Sequence, residues 1–147
     1  MLWLNKRLPS LVGIFPGRYR KPHKPRVFAV IDTSGSITEQ LLSAINREVA
    51  RVAREFEVIV AECDSKVHAI YPYREIKEVR GRGGTNLQAP FAPEILSQVG
   101  EFSVLIYFTD GYGPAPPRAP RFPVIWCIVP GGIAPANWGR VIEMGAP

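Results

Sequence analysis

Residues 27–36 read VFAVIDTSGS, an apolar run followed at once by a polar one. A continuous apolar run with β-branched side chains is typical of a strand buried on both faces, as in parallel sheets. Ser36 and Glu39 then have the spacing of a capping box, which predicts a helix start. Apolar residues recur beyond it at helical intervals, at Leu41, Ile45, Val49, Val52 and Phe56. The segment therefore predicts a strand, a short polar loop and a helix of roughly 16 residues.

The rest of the chain alternates between strands and helices. Further strands are predicted over 56–63, 67–71, 104–108 and 124–129, with a short edge strand over 141–144. A helix is predicted within 86–99, starting near Pro93, because proline disfavours helix at the residue before it. Residues 112–123 contain five prolines and no apolar periodicity. An irregular loop is therefore expected where a crossover helix would normally stand.

This order of elements predicts an α/β fold with a mostly parallel central sheet of five to six strands. The short turn at Asp64-Ser65 indicates that the second and third strands form an antiparallel pair. In such folds ligands bind beyond the carboxyl ends of the strands, where the strand order reverses. Polar residues that directly follow the predicted strands are therefore the candidates for a functional site.

Length and composition indicate one globular domain. The chain has 147 residues, of which 46% are hydrophobic, and its apolar runs are far shorter than the roughly 20 residues of a membrane-spanning helix. The first 17 residues have neither the apolar centre nor the cleavage site of a signal peptide. A cytoplasmic protein is therefore expected. Two cysteines near the ends of apolar runs, Cys63 and Cys127, are expected to be reduced and buried.

The net charge of +5 is concentrated at one end of the chain. Residues 1–26 contain seven Lys and Arg side chains and no acid, whereas the remainder has 11 basic and 13 acidic side chains. We therefore expect a basic arm or linker over 1–26 and a slightly acidic domain over 27–147. No interleaving of basic and aromatic residues suited to base stacking follows the arm, so nucleic acid is not the favoured partner.

Three polar segments carry the candidate chemistry. Asp32, Ser34 and Ser36 follow the first strand, Thr85 follows two glycines before the second helix, and Asp110 follows the strand over 104–108. Hard divalent cations take oxygen ligands, and Mg²⁺ prefers six at about 2.1 Å while retaining several waters. Hydroxyls and carboxylates from one edge of the sheet could supply such ligands.

These five residues resemble the metal-ion-dependent adhesion site of the von Willebrand factor A (VWA) family. The family motif is Asp-x-Ser-x-Ser, then a distant Thr and a distant Asp, and the resemblance covers roughly residues 26–144. It implies a three-layer, Rossmann-like fold with one antiparallel edge strand. It also implies that the two serines and the Thr contact Mg²⁺, Mn²⁺ or Ca²⁺, that the aspartates act mainly through water, and that an Asp or Glu of a partner protein completes the shell.

A narrower resemblance concerns the enzyme question. The Gly-Gly-Thr segment at 83–85, Thr-Asp-Gly-Tyr-Gly-Pro at 109–114 and Trp-Gly-x-Val-Ile at 138–142 are similar to the C-terminal VWA-like domain of prokaryotic metallopeptidase-like proteins. Those proteins carry a His-Glu-x-x-His segment in an N-terminal region. The present sequence has no such segment, and its histidines are His23 and His68. The resemblance therefore implies a binding module accessory to such an assembly, not an enzyme.

Other functions use the same residues. An aspartic peptidase would need two carboxylates that share a proton, supplied by paired copies of the motif or by a homodimer, and a helix rather than all-β structure follows the motif here. A serine hydrolase using Ser34 or Ser36 would need a histidine at the site, which neither His23 nor His68 is expected to reach. Residues 81–84, Gly-Arg-Gly-Gly, could instead cradle a phosphate or nucleotide with backbone amides, although no Walker-type Lys follows. A VWA fold with an empty site acting as a scaffold is the remaining alternative.

Overall fold

The computed structural model describes residues 25–74, 76 and 78–145. Residues 1–24 of the expected basic arm lie outside this range, and Arg26, assigned to the arm from the sequence, is the first residue of a strand. The described elements alternate as expected. In chain order they are β1 Arg26–Asp32, α1 Glu39–Ala53, β2 Glu57–Cys63, β3 Val67–Pro72, a 3₁₀ turn Ala89–Phe91, α2 Pro93–Val99, β4 Val104–Thr109, β5 Val124–Ile128 and β6 Arg140–Glu143.

The strands form one six-stranded sheet in the order β3-β2-β1-β4-β5-β6. All neighbours are parallel except β2 and β3, which form the expected antiparallel pair at one edge. The chain leaves β1 toward β2 on one side and returns to β4 on the other, so the strand order reverses between β1 and β4. This reversal is the position where ligands bind in open α/β sheets.

Successive residues of β1 serve opposite faces of the sheet, so β1 is buried throughout. Val27, Ala29 and Ile31 face the layer that contains α1. Phe28 and Val30 face the layer that contains α2 and the 3₁₀ turn. The two faces give the three-layer α/β fold that the sequence predicts.

The start of α1 differs from the sequence prediction. The Thr38 hydroxyl, not that of Ser36, accepts a hydrogen bond from Leu41 N at 3.1 Å. The capping-box prediction at Ser36 is therefore wrong, and the helix spans the 15 residues Glu39–Ala53. The physical reason is that the Ser36 hydroxyl is engaged elsewhere, as a donor to Asp110. Ser36 belongs to the loop that precedes the helix.

Between β4 and β5, where a crossover helix would normally cover the sheet, aromatic side chains pack against it. The chain between β4 and β5 is irregular, as its prolines predict. Phe91 lies at the centre of an aromatic cluster, with ring centroids 6.2 Å from Phe122, 6.1 Å from Trp126 and 6.0 Å from Trp138. Trp126 also donates from Nε1 to the carbonyl of Trp138 at 3.0 Å. The irregular segments are therefore held against the sheet by ring packing and by this hydrogen bond.

Both cysteines are buried and neither is in a disulfide, as the sequence predicts. Burial raises the pKa of Cys63 to about 12, so this thiol stays protonated at neutral pH. Among the described residues, no helix has the length and apolarity that a membrane crossing requires.

The aromatic cluster gives a test of this packing. Phe91→Ala should lower the free energy of unfolding by about 3 kcal/mol, because it removes a large ring from the centre of the cluster. Urea denaturation measures the change. The matched control is Val141→Ala at an exposed position of β6, where the expected change is within about 0.5 kcal/mol. Equal effects of the two substitutions would contradict this role for Phe91.

Candidate metal centre

Asp32 is buried at the carboxyl end of β1, with both oxygens bound to protein donors. Its Oδ1 accepts from the Ser34 backbone N–H at 2.9 Å, which shapes the tight loop that follows. Its Oδ2 accepts from the Thr109 hydroxyl at 2.6 Å, which joins the ends of β1 and β4. Asp32 therefore organises the loop and links it to the neighbouring strand.

Ser34, Ser36 and Asp110 bring three oxygen-bearing groups together. The hydroxyl oxygens of Ser34 and Ser36 lie 3.2 Å apart, and the Ser36 hydroxyl donates to Asp110 Oδ2 at 2.7 Å. Adjacent oxygen ligands of an octahedral Mg²⁺ at about 2.1 Å are separated by about 3 Å. The spacing of the two serine oxygens fits neighbouring corners of such an octahedron, and Asp110 lies within hydrogen-bond distance of one of them.

Asp110 is held in place from the side of β4. Its Oδ1 accepts from the Tyr112 backbone N–H at 3.1 Å, while the Thr109 hydroxyl accepts from Gly111 N at 3.0 Å. The carboxylate is largely buried, so its orientation is set by these bonds and by Ser36. Asp110 thus faces the loop after β1, as the strand-end position predicts.

Thr85 lies on a loop that backbone hydrogen bonds attach to the first one. Gly35 N donates to the Gly83 carbonyl at 2.9 Å, and Arg82 N donates to the Thr33 carbonyl at 2.7 Å. The Thr85 methyl group packs against position 113, where an added Cβ would lie 2.6 Å from it. Among the described residues, no hydrogen bond joins Thr85 to the other four candidates. Hydrogen bonds join those four residues directly. Thr85 is connected to them only through the backbone hydrogen bonds of its loop.

Asp64 is a further residue of the candidate site, although its sequence context before Ser65 predicts only a turn. Asp64 follows the end of β2, just as the loop that starts at Asp32 follows the end of the neighbouring strand β1. This equivalent position is the feature of the sequence that could have indicated a role at the site. Its Oδ2 accepts from Gly83 N at 3.0 Å, and its backbone carbonyl accepts from Asn86 N at 2.8 Å. Asp64 therefore holds the loop on both sides of Thr85.

The lack of a side chain at Gly83 makes this close contact possible. A Cβ there would lie 2.9 Å from Asp64 Oδ2, a distance that real Cβ atoms do not tolerate without a shift of the neighbour. On the far side of the carboxylate, Asp64 Oδ1 pairs with His68 Nε2 at 2.6 Å. His68 thus supports the loop indirectly from β3.

Arg82 reinforces the first loop. Its guanidinium donates to the carbonyls of Ser34 at 3.3 Å and Ile37 at 2.5 Å. Its φ of 70° lies in the left-handed region, where a non-glycine side chain costs of order 1 kcal/mol or more. The surrounding hydrogen bonds hold this conformation and place a positive charge beside the serines.

The electrostatics of the site favour a compensating positive charge. Burial raises the pKa of Asp32, and the negative charge of Asp110 raises it further, while hydrogen bonds from Ser34 and Thr109 lower it. Within the described ranges, no three His, Cys, Asp or Glu side chains cluster in a manner suited to metal binding. The donor set is instead two carboxylates with hydroxyls, which is the chemistry of a hard cation and not of zinc.

The rival sites fit this geometry less well. In the Gly81–Gly84 loop, Arg82 N and Gly83 N already donate to Thr33 and Asp64, and α2 begins only at Pro93. Two of the four amides that could bind a phosphate in this loop are therefore occupied.

Among the described residues, the serine hydrolase alternative also lacks a base. Ser36 donates to Asp110, and His68 pairs with Asp64 on the far side of the Gly83 loop. Neither arrangement gives a serine a neighbouring imidazole, which nucleophilic catalysis of this kind requires.

Comparison with known proteins agrees with the fold. The VWA-like domain family (DUF2201) matches residues 27–145. The chain therefore belongs to the VWA-like domain family. A protein of Thermotoga maritima, described only as uncharacterized, is 32% identical over 121 residues, which is 76% of this chain and 28% of that protein. The chain thus spans little more than a quarter of the length of this relative.

Asp64 generates a prediction about pH. Burial raises its pKa, but hydrogen bonds from His68, Lys66 and Gly83 outweigh this effect and lower the pKa to about 2, from an ordinary 3.8. Because the pKa is lower in the folded state, the stabilisation is complete above the ordinary pKa and is lost as pH falls from about 4 through about 2. It amounts to about 2 kcal/mol.

Asp64→Asn should therefore lower the free energy of unfolding by about 2 kcal/mol at neutral pH. The difference from the unsubstituted protein should shrink as pH falls from about 4 through about 2, because Asp64 is protonated first in the unfolded state and in the folded state only near its pKa of about 2. Urea denaturation across this pH range measures the difference. A difference that stays constant down to pH about 2 would contradict the assignment.

Proposed function

We propose that this VWA-like domain binds a divalent cation, Mg²⁺ or alternatively Mn²⁺ or Ca²⁺, and through it an acidic side chain of a partner protein. The hydroxyls of Ser34, Ser36 and Thr85 would contact the ion, and Asp32 and Asp110 would act mainly through water. Binding, not catalysis, is the proposed activity. Partners in a metallopeptidase-like assembly are part of the same proposal.

The observation that carries the proposal is the convergence of Ser34, Ser36 and Asp110. These residues follow two adjacent strands. The hydroxyl oxygens of Ser34 and Ser36 lie 3.2 Å apart, and the Ser36 hydroxyl lies 2.7 Å from Asp110 Oδ2. A role in a helix cap or a simple turn would explain the presence of one such residue, but it would not explain why three of them lie close together. The role of Thr85 is supported less directly, by the hydrogen bonds that attach its loop to Gly35 and Asp64.

The exposure of the site supports capture of a partner. Ser36 and the glycines around it are exposed, whereas Asp32 and Ser34 are buried beneath them. An ion held at this rim would therefore be supported by protein from below and accessible from above. A carboxylate is the expected visitor, because hard cations prefer anionic oxygen.

The proposal predicts stabilisation by the ion. At a free Mg²⁺ or Mn²⁺ concentration about 100 times Kd, binding to the folded state alone adds about 2.7 kcal/mol, which corresponds to a rise in Tm of about 10 °C for a domain of this size. Ser34→Ala combined with Ser36→Ala should remove this rise. Thermal melting with the metal and with EDTA measures it.

The serines are the better choice for this test than the aspartates. Asp32 binds the loop through Ser34 N and the neighbouring strand through Thr109, so its replacement would disturb the fold as well as the site. The matched control is Ser43→Ala combined with Ser97→Ala, two exposed serines on α1 and α2. A metal-induced rise that survives in the Ser34 and Ser36 variant, or is absent from the unsubstituted protein, would overturn the proposal.

A further inference from the structure

The described residues expose three large hydrophobic side chains: Tyr112 at 54%, Ile133 at 49% and Val141 at 45%. Single exposed hydrophobic residues are common on protein surfaces and carry no meaning by themselves. Val141 lies on the edge strand β6. Tyr112 and Ile133, however, lie on the loops that follow β4 and β5, and both are attached to Asp110.

Asp110 holds both residues through its own atoms. Tyr112 N donates to Asp110 Oδ1 at 3.1 Å, and Ile133 N donates to the Asp110 carbonyl at 2.9 Å. The same residue whose Oδ2 accepts from Ser36 therefore fixes the backbone under two exposed apolar side chains. The two loop backbones that carry the apolar side chains are thus attached directly to the candidate metal centre.

The pair is held firmly. Gly111 has a φ of 83°, and a Cβ at this position would lie 1.7 Å from the Ile133 carbonyl oxygen, so the two loops pack more closely than any other residue would permit. The Tyr112 hydroxyl also donates to the Gly131 carbonyl at 3.4 Å, which directs the ring toward the loop of Ile133. Loop backbones fixed in advance lose little conformational freedom on binding.

The opposite flank of the serines has a different character. There Arg82 covers the loop, with its guanidinium on the Ser34 and Ile37 carbonyls. A partner that approached the ion would therefore meet a positive charge on one side and an apolar surface on the other. Since any exposed carboxylate could reach a metal, the selection of a partner must come from such neighbouring contacts.

We propose that Tyr112 and Ile133 form an apolar docking surface beside the ion, and that the partner is a protein segment in which Asp or Glu stands next to a large aliphatic or aromatic residue. The inference rests on the proposed function. The carboxylate would complete the metal shell while the adjacent apolar side chain packs on Tyr112 and Ile133. Burial of that side chain is what distinguishes the correct segment from other acidic ones.

Short capped peptides test this specificity directly. Three tetrapeptides with Gly at both ends would be compared, with Asp-Phe, Asp-Ser or Asn-Phe at the centre, by NMR titration of the whole chain in Mg²⁺ and in EDTA. We expect the Asp-Phe peptide to bind about five- to tenfold more tightly than the Asp-Ser peptide, from partial burial of the ring. The Asn-Phe peptide should not bind measurably, and EDTA should abolish binding of the other two.

Variants then locate the preference. In Tyr112→Ala combined with Ile133→Ala, the ratio of the Asp-Phe and Asp-Ser affinities should fall close to one. In the control Val141→Ala, which removes an equally exposed hydrophobic residue at a distance from Asp110 in the fold, the ratio should be unchanged.

The outcomes separate this inference from the proposed function. Equal Mg²⁺-dependent affinities for the Asp-Phe and Asp-Ser peptides would overturn the inference and leave the metal site intact. A ratio that persists in the Tyr112 and Ile133 variant, or equal binding of Asn-Phe and Asp-Phe in EDTA, would also overturn it. Absence of any metal-induced rise in Tm would remove the proposed function and this inference with it.

Discussion

Two negative carboxylates, Asp32 and Asp110, are buried at the ends of the adjacent strands β1 and β4, and the rest of the site accommodates them. The loss of water on burial, and to a smaller extent repulsion from Asp110, raise the pKa of Asp32. The fold offsets this cost with hydroxyl and amide donors: Ser36 for Asp110, and Ser34 N and Thr109 for Asp32. A cation at the same place would offset it further, which is the physical basis of the proposed metal binding.

Much of the fold could be predicted because the strands are buried on both faces and their sequences are continuously apolar. The antiparallel edge pair and the irregular chain between β4 and β5 followed from a short turn and from prolines, which act locally. The cap of α1 was predicted wrongly for the opposite reason. Ser36 has the correct spacing to Glu39, but its hydroxyl is taken by Asp110, 74 residues away in the chain. A local sequence pattern cannot reveal that a distant residue competes for the same hydroxyl.

The candidate site could be predicted in part, since residues at the carboxyl ends of parallel strands meet at one edge of the sheet. This rule predicts that Asp32, Ser34, Ser36 and Asp110 lie close together, and hydrogen bonds join them in the structure. It does not place Thr85, whose loop is positioned by hydrogen bonds to Asp64 and to Gly35. Asp64 was overlooked because a single acid before Ser65 resembles an ordinary turn. The apolar flank at Tyr112 depends on the contact of two loops, which no sequence spacing reveals.

The most direct test of the account is an NMR titration of the domain with Mn²⁺, which broadens the signals of nearby nuclei with a steep dependence on distance. The account predicts that broadening at low Mn²⁺ is confined to backbone amides of the three loops, around Ser34, Thr85 and Gly111, and that excess Mg²⁺ reverses it. Broadening that is absent, or that is centred on another part of the surface, would contradict the claim that these loops hold a divalent cation.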